Sequence, residues 1–186
     1  MLGKTLRGAV IGSPDGLLWY FLFFPGKAMA FFGYVGYNRE KYGKGCVPMI
    51  QVIHGKKGTG KTKKILDMAN EAIGKHKGDI IFVDDDTRYM FDLRHEVRFV
   101  NASEYGCSSP EMFLGFLCGM LSQNFDITAI FVDAFLKLVK VPVEETESFF
   151  KRLDAVSRDH HVDIIISCSV DDAVAPEFLK PYFIDI

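Results

Sequence analysis

The sequence predicts an α/β fold, a three-layer sandwich around a mostly parallel sheet of about five strands, beginning at residue 49. Three observations carry that reading. From residue 49 onward, short apolar runs alternate with segments whose apolar residues recur at helical spacing. Those runs are apolar at nearly every position, as strands covered on both faces are, whereas half-buried strands alternate. Hydrophobic residues make up 48% of the 186 and charged residues 25%, an ordinary soluble globular balance.

The elements follow in order. Met49–His54 is a short apolar run ahead of glycines, hence a buried strand. From Gly60 to about Lys75, residues Ile65, Met68, Ala69, Ala72 and Ile73 share one face of a helix. Asp79–Asp84 and Val97–Asn101 are the next two strands. Pro110–Leu121 is a helix with Ser108 or Ser109 as its cap and Pro110 in its first turn. Ile127–Asp133 is the fourth strand. Val143–Arg158 is a helix, acidic at its start and basic towards its end, as the helix dipole favours. Val162–Ser167 is the fifth strand, and a short helix near Ala175–Lys180 and a terminal extended piece complete the chain. Right-handed crossovers between parallel strands bring their carboxyl ends to one edge, where ligands bind in such sheets.

Residues 1–48 differ from the rest. Six Lys/Arg stand against Asp15 and Glu40, so this part carries +4 and the remainder −6 of a total of −2. It holds nine of the 17 glycines, and its apolar residues keep no strand or helix period. The run Leu17–Phe24 falls short of the roughly 20 residues that span a bilayer. Carried on to Val35 it reaches that length, through Pro25-Gly26-Lys27. A signal peptide is a second reading, with Lys4 and Arg7 ahead of the run and Ala28-Met29-Ala30 behind it. The preferred reading takes residues 1–48 as a poorly ordered extension or a mis-assigned start, with Met49 beginning the folded chain. On that reading the protein is cytoplasmic, and residues 17–35 touch a membrane only if they are a real anchor. The small net charge gives no footing for nucleic acid. Cys46, Cys107, Cys118 and Cys168 are scattered, with no CxxC pair, and read as idle or buried thiols.

The chemistry concentrates in Gly55-Lys56-Lys57-Gly58-Thr59-Gly60-Lys61-Thr62, which fits GxxxxGK[ST] at every fixed position, after a strand and before a helix. Gly55, Gly58 and Gly60 let the main chain curl so that its N–H groups point at phosphate oxygens. The helix behind them offers its positive end. Lys61 is a compact cation for the outer phosphates, and Thr62 is a hydroxyl ligand for Mg²⁺. Asp133, ending the strand Ile130-Phe131-Val132, is placed to hold the same ion, or else to cap the next helix.

Ala134 follows where many ATPases carry a water-orienting glutamate. Asp84-Asp85-Asp86 is the substitute, with Asp84 and Asp85 as candidate catalytic carboxylates beside Lys61; a solvated acidic turn is the plainer use of such a run. Ser167 and Ser169 are candidate sensors of the terminal phosphate. Arg88, Arg94 and Arg98 are candidate arginine fingers or simple partners for Asp84–Asp86, Asp92 and Glu96, the second use being favoured. His54, His95, His160 and His161 lack ligand spacing and read as structural or surface residues.

The strand, the GKKGTGKT loop, the helix behind it and the IFVD ending at Asp133 together resemble the P-loop NTPase superfamily, from Met49 to the C-terminus. MIQVIHGKKGTGKTKKILDMANEA, DDDTRYMFDLRHE and NASEYG…PEMFLGFLCG look like small clostridial ATP-binding proteins sometimes labelled twitching-motility ATPases. The further acidic and histidine boxes of a pilus-retraction motor are missing. The resemblance therefore implies ATP and Mg²⁺ and leaves the cellular role open. Lys56 also stands where the partition and septum-site ATPases carry a lysine after the first glycine, with Lys57 replacing their next glycine.

Three functions compete. The first is a slow Mg-dependent ATPase or ATP-dependent switch, stimulated by a protein partner or by homo-oligomerisation. The second is a small-molecule kinase, with Arg88–Arg98 as a short lid. The third is a non-hydrolysing nucleotide-binding module.

Overall fold

The computed structural model describes residues 49–185 and, before them, the backbone of three strands. The chain divides into two units, Met1–Val47 and Pro48–Ile186. In the first, β1 (Arg7–Gly12), β2 (Leu18–Phe24) and β3 (Lys27–Met29) pair antiparallel in the order β1-β2-β3. The readings of residues 1–48 as an extension, a membrane anchor or a signal peptide fall largely, and that of Cys46 as an idle thiol wholly, outside the described residues. Among the described residues no helix is long and apolar enough to cross a membrane.

The second unit is an α/β sandwich on a six-stranded, all-parallel sheet. Its strands are β4 (Ile50–Ile53), β5 (Asp79–Asp84), β6 (Val97–Asn101), β7 (Ile127–Val132), β8 (Asp163–Ser167) and β9 (Phe183–Ile184), in the order β6-β5-β7-β8-β4-β9. One strand exceeds the expected five. The terminal extended piece pairs with β4, matching Val52 to Phe183 and Ile53 to Ile184.

The near-continuous apolar strands have the expected cause: both faces are covered. Along β5, Ile81 and Val83 enter the core on one side while Ile80 and Phe82 enter the other. Along β7, Ile130 and Val132 face one way, Ala129 and Phe131 the other. Helix α1 (Lys61–Ala72) covers one side with Ile65, Leu66, Ala69 and Ala72. The other side is covered by α2 (Pro110–Gln123), α3 (Phe135–Val139) and α4 (Glu147–His160). Ser109 caps α2 as expected, its Oγ accepting from the Met112 N–H at 3.2 Å.

Four phenylalanines join these helices. Phe135 lies 5.9 Å from Phe113, 4.8 Å from Phe149 and 5.6 Å from Phe150, between ring centroids. Each such ring contributes roughly 1.5–3 kcal/mol by burial.

Three local expectations are corrected. Residues 143–158 are not one helix: Val143–Thr146 is a 3-10 turn, and the α-helix begins at Glu147. Pro142 precedes that turn, and the buried Thr146 hydroxyl donates to the Val143 carbonyl at 2.6 Å, holding the tighter winding. No α-helix forms over 175–180; a 3-10 turn, Asp172–Val174, precedes that stretch and another, Lys180–Tyr182, begins at its last residue, and Pro176 within it and Pro181 just after it lack the N–H that a helix interior uses. Helix α3 was not anticipated. Its five residues are too few to show a period, and it begins only because Ala134 adopts a left-handed conformation at φ 53°.

Candidate phosphate-binding cleft

The parallel strands end along one edge, and four of the endings carry residues singled out by the sequence. After β4 comes the loop 55–62, β5 closes with Asp84, Asp133 follows β7, and Ser167 closes β8. Strand β8 lies between β4 and β7, so Ser167 stands between the loop and Asp133. Together they line a cleft of about 860 Å³, with Lys57, Gly58, Gly60, Lys61, Thr62, Asp84, Asp85, Asp133 and Ser167 in its walls.

The loop is curled. Gly55, Gly58 and Gly60 take φ values of 137°, 87° and 90°, a region that side chains rarely allow. Lys61 folds back along the curl, its ammonium donating to the carbonyls of Gly55 at 2.8 Å and Lys56 at 2.7 Å. Burial lowers its pKa, and the charge of Asp133 opposes that shift. The Thr59 hydroxyl donates to the Lys56 carbonyl at 2.9 Å and tightens the turn. No side chain caps the start of α1 at Gly60, and the first N–H groups of a helix have no partner within the helix itself. A methyl group built on Gly58 or Gly60 would meet nothing within 4 Å. Open space above the curl, orphan amides and a buried lysine fit a phosphate-bearing ligand.

Not every loop residue turns inward. The Gly55 N–H donates to the Val170 carbonyl at 2.9 Å, and Lys56 pairs with Asp171 at 2.9 Å. These contacts tie the outer rim of the loop to the segment after β8. His54 joins them, stacked on Phe183 at 3.9 Å and lying against Asp172.

The opposite wall is acidic and dry. Asp84 is 2% exposed and Asp133 4%. Asp133 accepts from the Ser167 hydroxyl, which in turn accepts from the Ala134 N–H at 3.1 Å. The Asp133 N–H donates to the Val83 carbonyl at 2.9 Å, pinning the end of β7 to β5. Burial pushes Asp84 up to about 7; the Asp85 N–H, donating at 2.7 Å, pulls the other way, and the charge of Asp133 adds to the rise. Asp85 is reached by Lys137 from α3, at 3.4 Å to both carboxylate oxygens. Asp86 turns aside and holds Arg88, at 2.7 Å from Nε and 2.6 Å from Nη2. Its carboxyl is held low by that guanidinium.

The chain is similar to a solved archaeal protein. That structure is the flagellar accessory protein FlaH from Methanocaldococcus jannaschii, 16% identical over 77% of this chain and 73% of the other, with a TM-score of 0.45. No protein-family model matches the chain, and no curated protein does.

The structure brings Lys61, Thr62, Asp84, Asp85 and Asp133 to one cleft. Ser167 is drawn in by Asp133, and the exposed Ser169 lines the cleft. Arg94 pairs with Glu96 at 3.4 Å, the blander use expected of it, and Arg98 is exposed. Cys107 and Cys168 are buried free thiols and Cys118 is half-buried; burial pushes Cys168 up to about 12. Sequence reasoning missed Lys137, and it missed Leu66, Asp67, Asn70 and Asp92, which extend the cleft along α1. Asn70 locks that extension: its Nδ2 donates to the Asp92 carbonyl at 3.0 Å and its Oδ1 accepts from the Arg94 N–H at 2.8 Å. A helical period marks Asn70 as polar among apolar neighbours, the only signal it leaves.

Proposed function

We propose that this chain binds Mg-ATP in the cleft between residues 55–62 and Asp133, and acts as a slow Mg-dependent ATPase or an ATP-dependent switch. One observation carries the reading: the curled loop with Lys61 folded into it opens straight onto two buried carboxylates. The loop amides and the α1 terminus bind phosphate oxygens, and Lys61 balances their charge. Thr62 and Asp133 hold the magnesium ion, a small protein share that suits an ion usually bound through one or two carboxylates, substrate phosphates and water. When bound, that ion polarises the terminal phosphate and steadies the charge that develops on its leaving oxygen.

Ser167 keeps Asp133 oriented. Asp84 and Asp85 stand where a base for water is needed in place of the side chain that Ala134 lacks. Asp84, pushed up to about 7 by burial, shifts towards its charged form when a cation arrives beside it. Slow turnover follows from the missing glutamate. The likeness of the loop and the DDDTRYMFDLRHE stretch to small clostridial ATP-binding proteins supports the nucleotide, and a cytoplasmic setting would supply it. A homo-oligomer or protein partner would raise the rate.

The test is phosphate release with and without Mg²⁺, by the wild type and by Lys61→Ala. Release that needs Mg²⁺ and is lost in the variant supports the proposal; equal release by both removes it.

A small-molecule kinase is the second reading. It is favoured by the extension of the cleft along α1 to Asn70, nine residues or roughly 13 Å from Lys61. That space would hold an acceptor, and a screen of phosphate acceptors with labelled ATP separates the two.

A further inference from the structure

The reading above gives no part to Lys137, a cation that lines the cleft. Lys137 projects from α3, whose Phe135, Leu138 and Val139 are buried. The helix starts two residues after Asp133, behind the left-handed Ala134, and the Lys137 N–H donates to the Ala134 carbonyl at 2.9 Å. Its backbone is therefore fixed relative to Asp133, on the wall facing the loop.

Its head is not fixed in the same way. The two contacts to Asp85 are 3.4 Å each, longer than the about 2.7–2.9 Å of a well-made ammonium–carboxylate hydrogen bond. The side chain is 57% exposed, and pairs as open as this hold weakly. Three of the other cations near the cleft are committed, while Lys57 and Lys63 line it from the loop and from α1. Lys61 donates twice to its own loop, Lys56 is taken by Asp171, and Arg88 makes two short contacts to Asp86. Lys137 is thus a cation loosely parked on a carboxylate, across from the phosphate-binding curl.

We propose that Lys137 is a specificity-determining residue that tells a nucleoside triphosphate from a diphosphate by exchanging Asp85 for the terminal phosphate. The proposal rests on the nucleotide reading of the cleft. A terminal phosphate carries more charge than one carboxylate and presents three acceptor oxygens, so it outcompetes Asp85 for the ammonium. A diphosphate ends one phosphate short, at the group the loop and Lys61 already hold, so its terminal phosphate does not reach across the cleft and Lys137 stays on Asp85. Released from its partner, Asp85 is left as a free acceptor for water. Binding and release of the third phosphate would thereby be coupled to the charge state of the wall opposite the loop.

The two residues of the pair then act with opposite sign, which an ordinary structural ion pair does not do. The experiment is calorimetric titration of the full chain with Mg²⁺ and either a non-hydrolysable ATP analogue or ADP, for the wild type, Lys137→Ala, Lys137→Arg and Asp85→Asn. Lys137→Ala is expected to weaken the triphosphate analogue by about 5- to 20-fold and ADP by less than about twofold. Lys137→Arg should keep most of the discrimination. Asp85→Asn, by removing the competitor, should tighten the triphosphate analogue by roughly two- to fivefold.

Equal losses for both nucleotides in Lys137→Ala, or no loss, would overturn the proposal. So would Asp85→Asn and Lys137→Ala shifting the triphosphate affinity in the same direction. Failure of the wild type to bind either nucleotide would remove the nucleotide reading itself, and this proposal with it. Unchanged melting temperatures of the exposed-residue variants serve as the folding control.

Discussion

The two walls of the cleft are made differently. One is a run of eight consecutive residues whose work is done by main-chain groups and one lysine bent back onto Gly55 and Lys56. The other is gathered from the ends of three strands and one short helix: Asp84, Asp133, Ser167 and Lys137. The first wall depends on local backbone conformation. The second depends on the whole sheet and on the phenylalanine cluster beneath α3. A change in local torsion should damage one wall, and a change in packing the other.

The largest expected effect separates them by packing. Phe135→Ala empties a fully buried site between Phe113, Phe149 and Phe150, for a loss of roughly 3–5 kcal/mol. Urea unfolding measures it. The variant should also lose discrimination through Lys137 while the loop keeps its phosphate affinity. Equal damage to both would show that the walls are not independent.

Next is Gly60→Ala, which strikes the loop alone. The methyl group meets open space, so the cost is torsional, about 1–2 kcal/mol for a left-handed residue. Nucleotide affinity should fall. A variant as stable and as tight as wild type would mean that the curl is not needed.

The smallest effect is a gain. Asp84 is pushed up to about 7 from an ordinary 3.8, so the folded chain holds a proton that the unfolded chain releases near pH 4. As pH rises from about 4 to 7, the unfolded state is favoured and stability falls; the loss is complete above about pH 7. Asp84→Asn escapes it. The variant should match the wild type near pH 4 and melt a few degrees higher at pH 8, at roughly 2–4 °C per kcal/mol. A lower melting point at pH 8 would mean that the acidic wall is not under charge strain. Melting curves at both pH values decide this.

The same contrast governs what could be read from sequence. The loop was legible because its glycines, lysine and threonine are adjacent and each does one local thing. Asp133 and Asp84 were legible because each ends an apolar run at an edge where ligands gather. Lys137 was not: it sits on five residues with no period, and its value comes from a left-handed Ala134 and from Asp85, which is far from it in sequence. The pairing of Asp133 with Ser167 needed the strand order, because β8 lies beside β7 only in the folded sheet. The terminal extended piece was legible, but its pairing as a sixth strand was not, because two residues against β4 are too short a run to score. The turn at Val143–Thr146 escaped because helical spacing does not distinguish a 3-10 turn from an α-helix over four residues.

The account turns on the triphosphate site at Lys61. Calorimetry of ATP binding in Mg²⁺ to the wild type and to Lys61→Ala addresses it most directly. The expected result is saturable binding by the wild type, weakened by about 100-fold or more in the variant as two buried charge-assisted contacts are lost, with unchanged folding by circular dichroism. Identical affinities for the two proteins would contradict it.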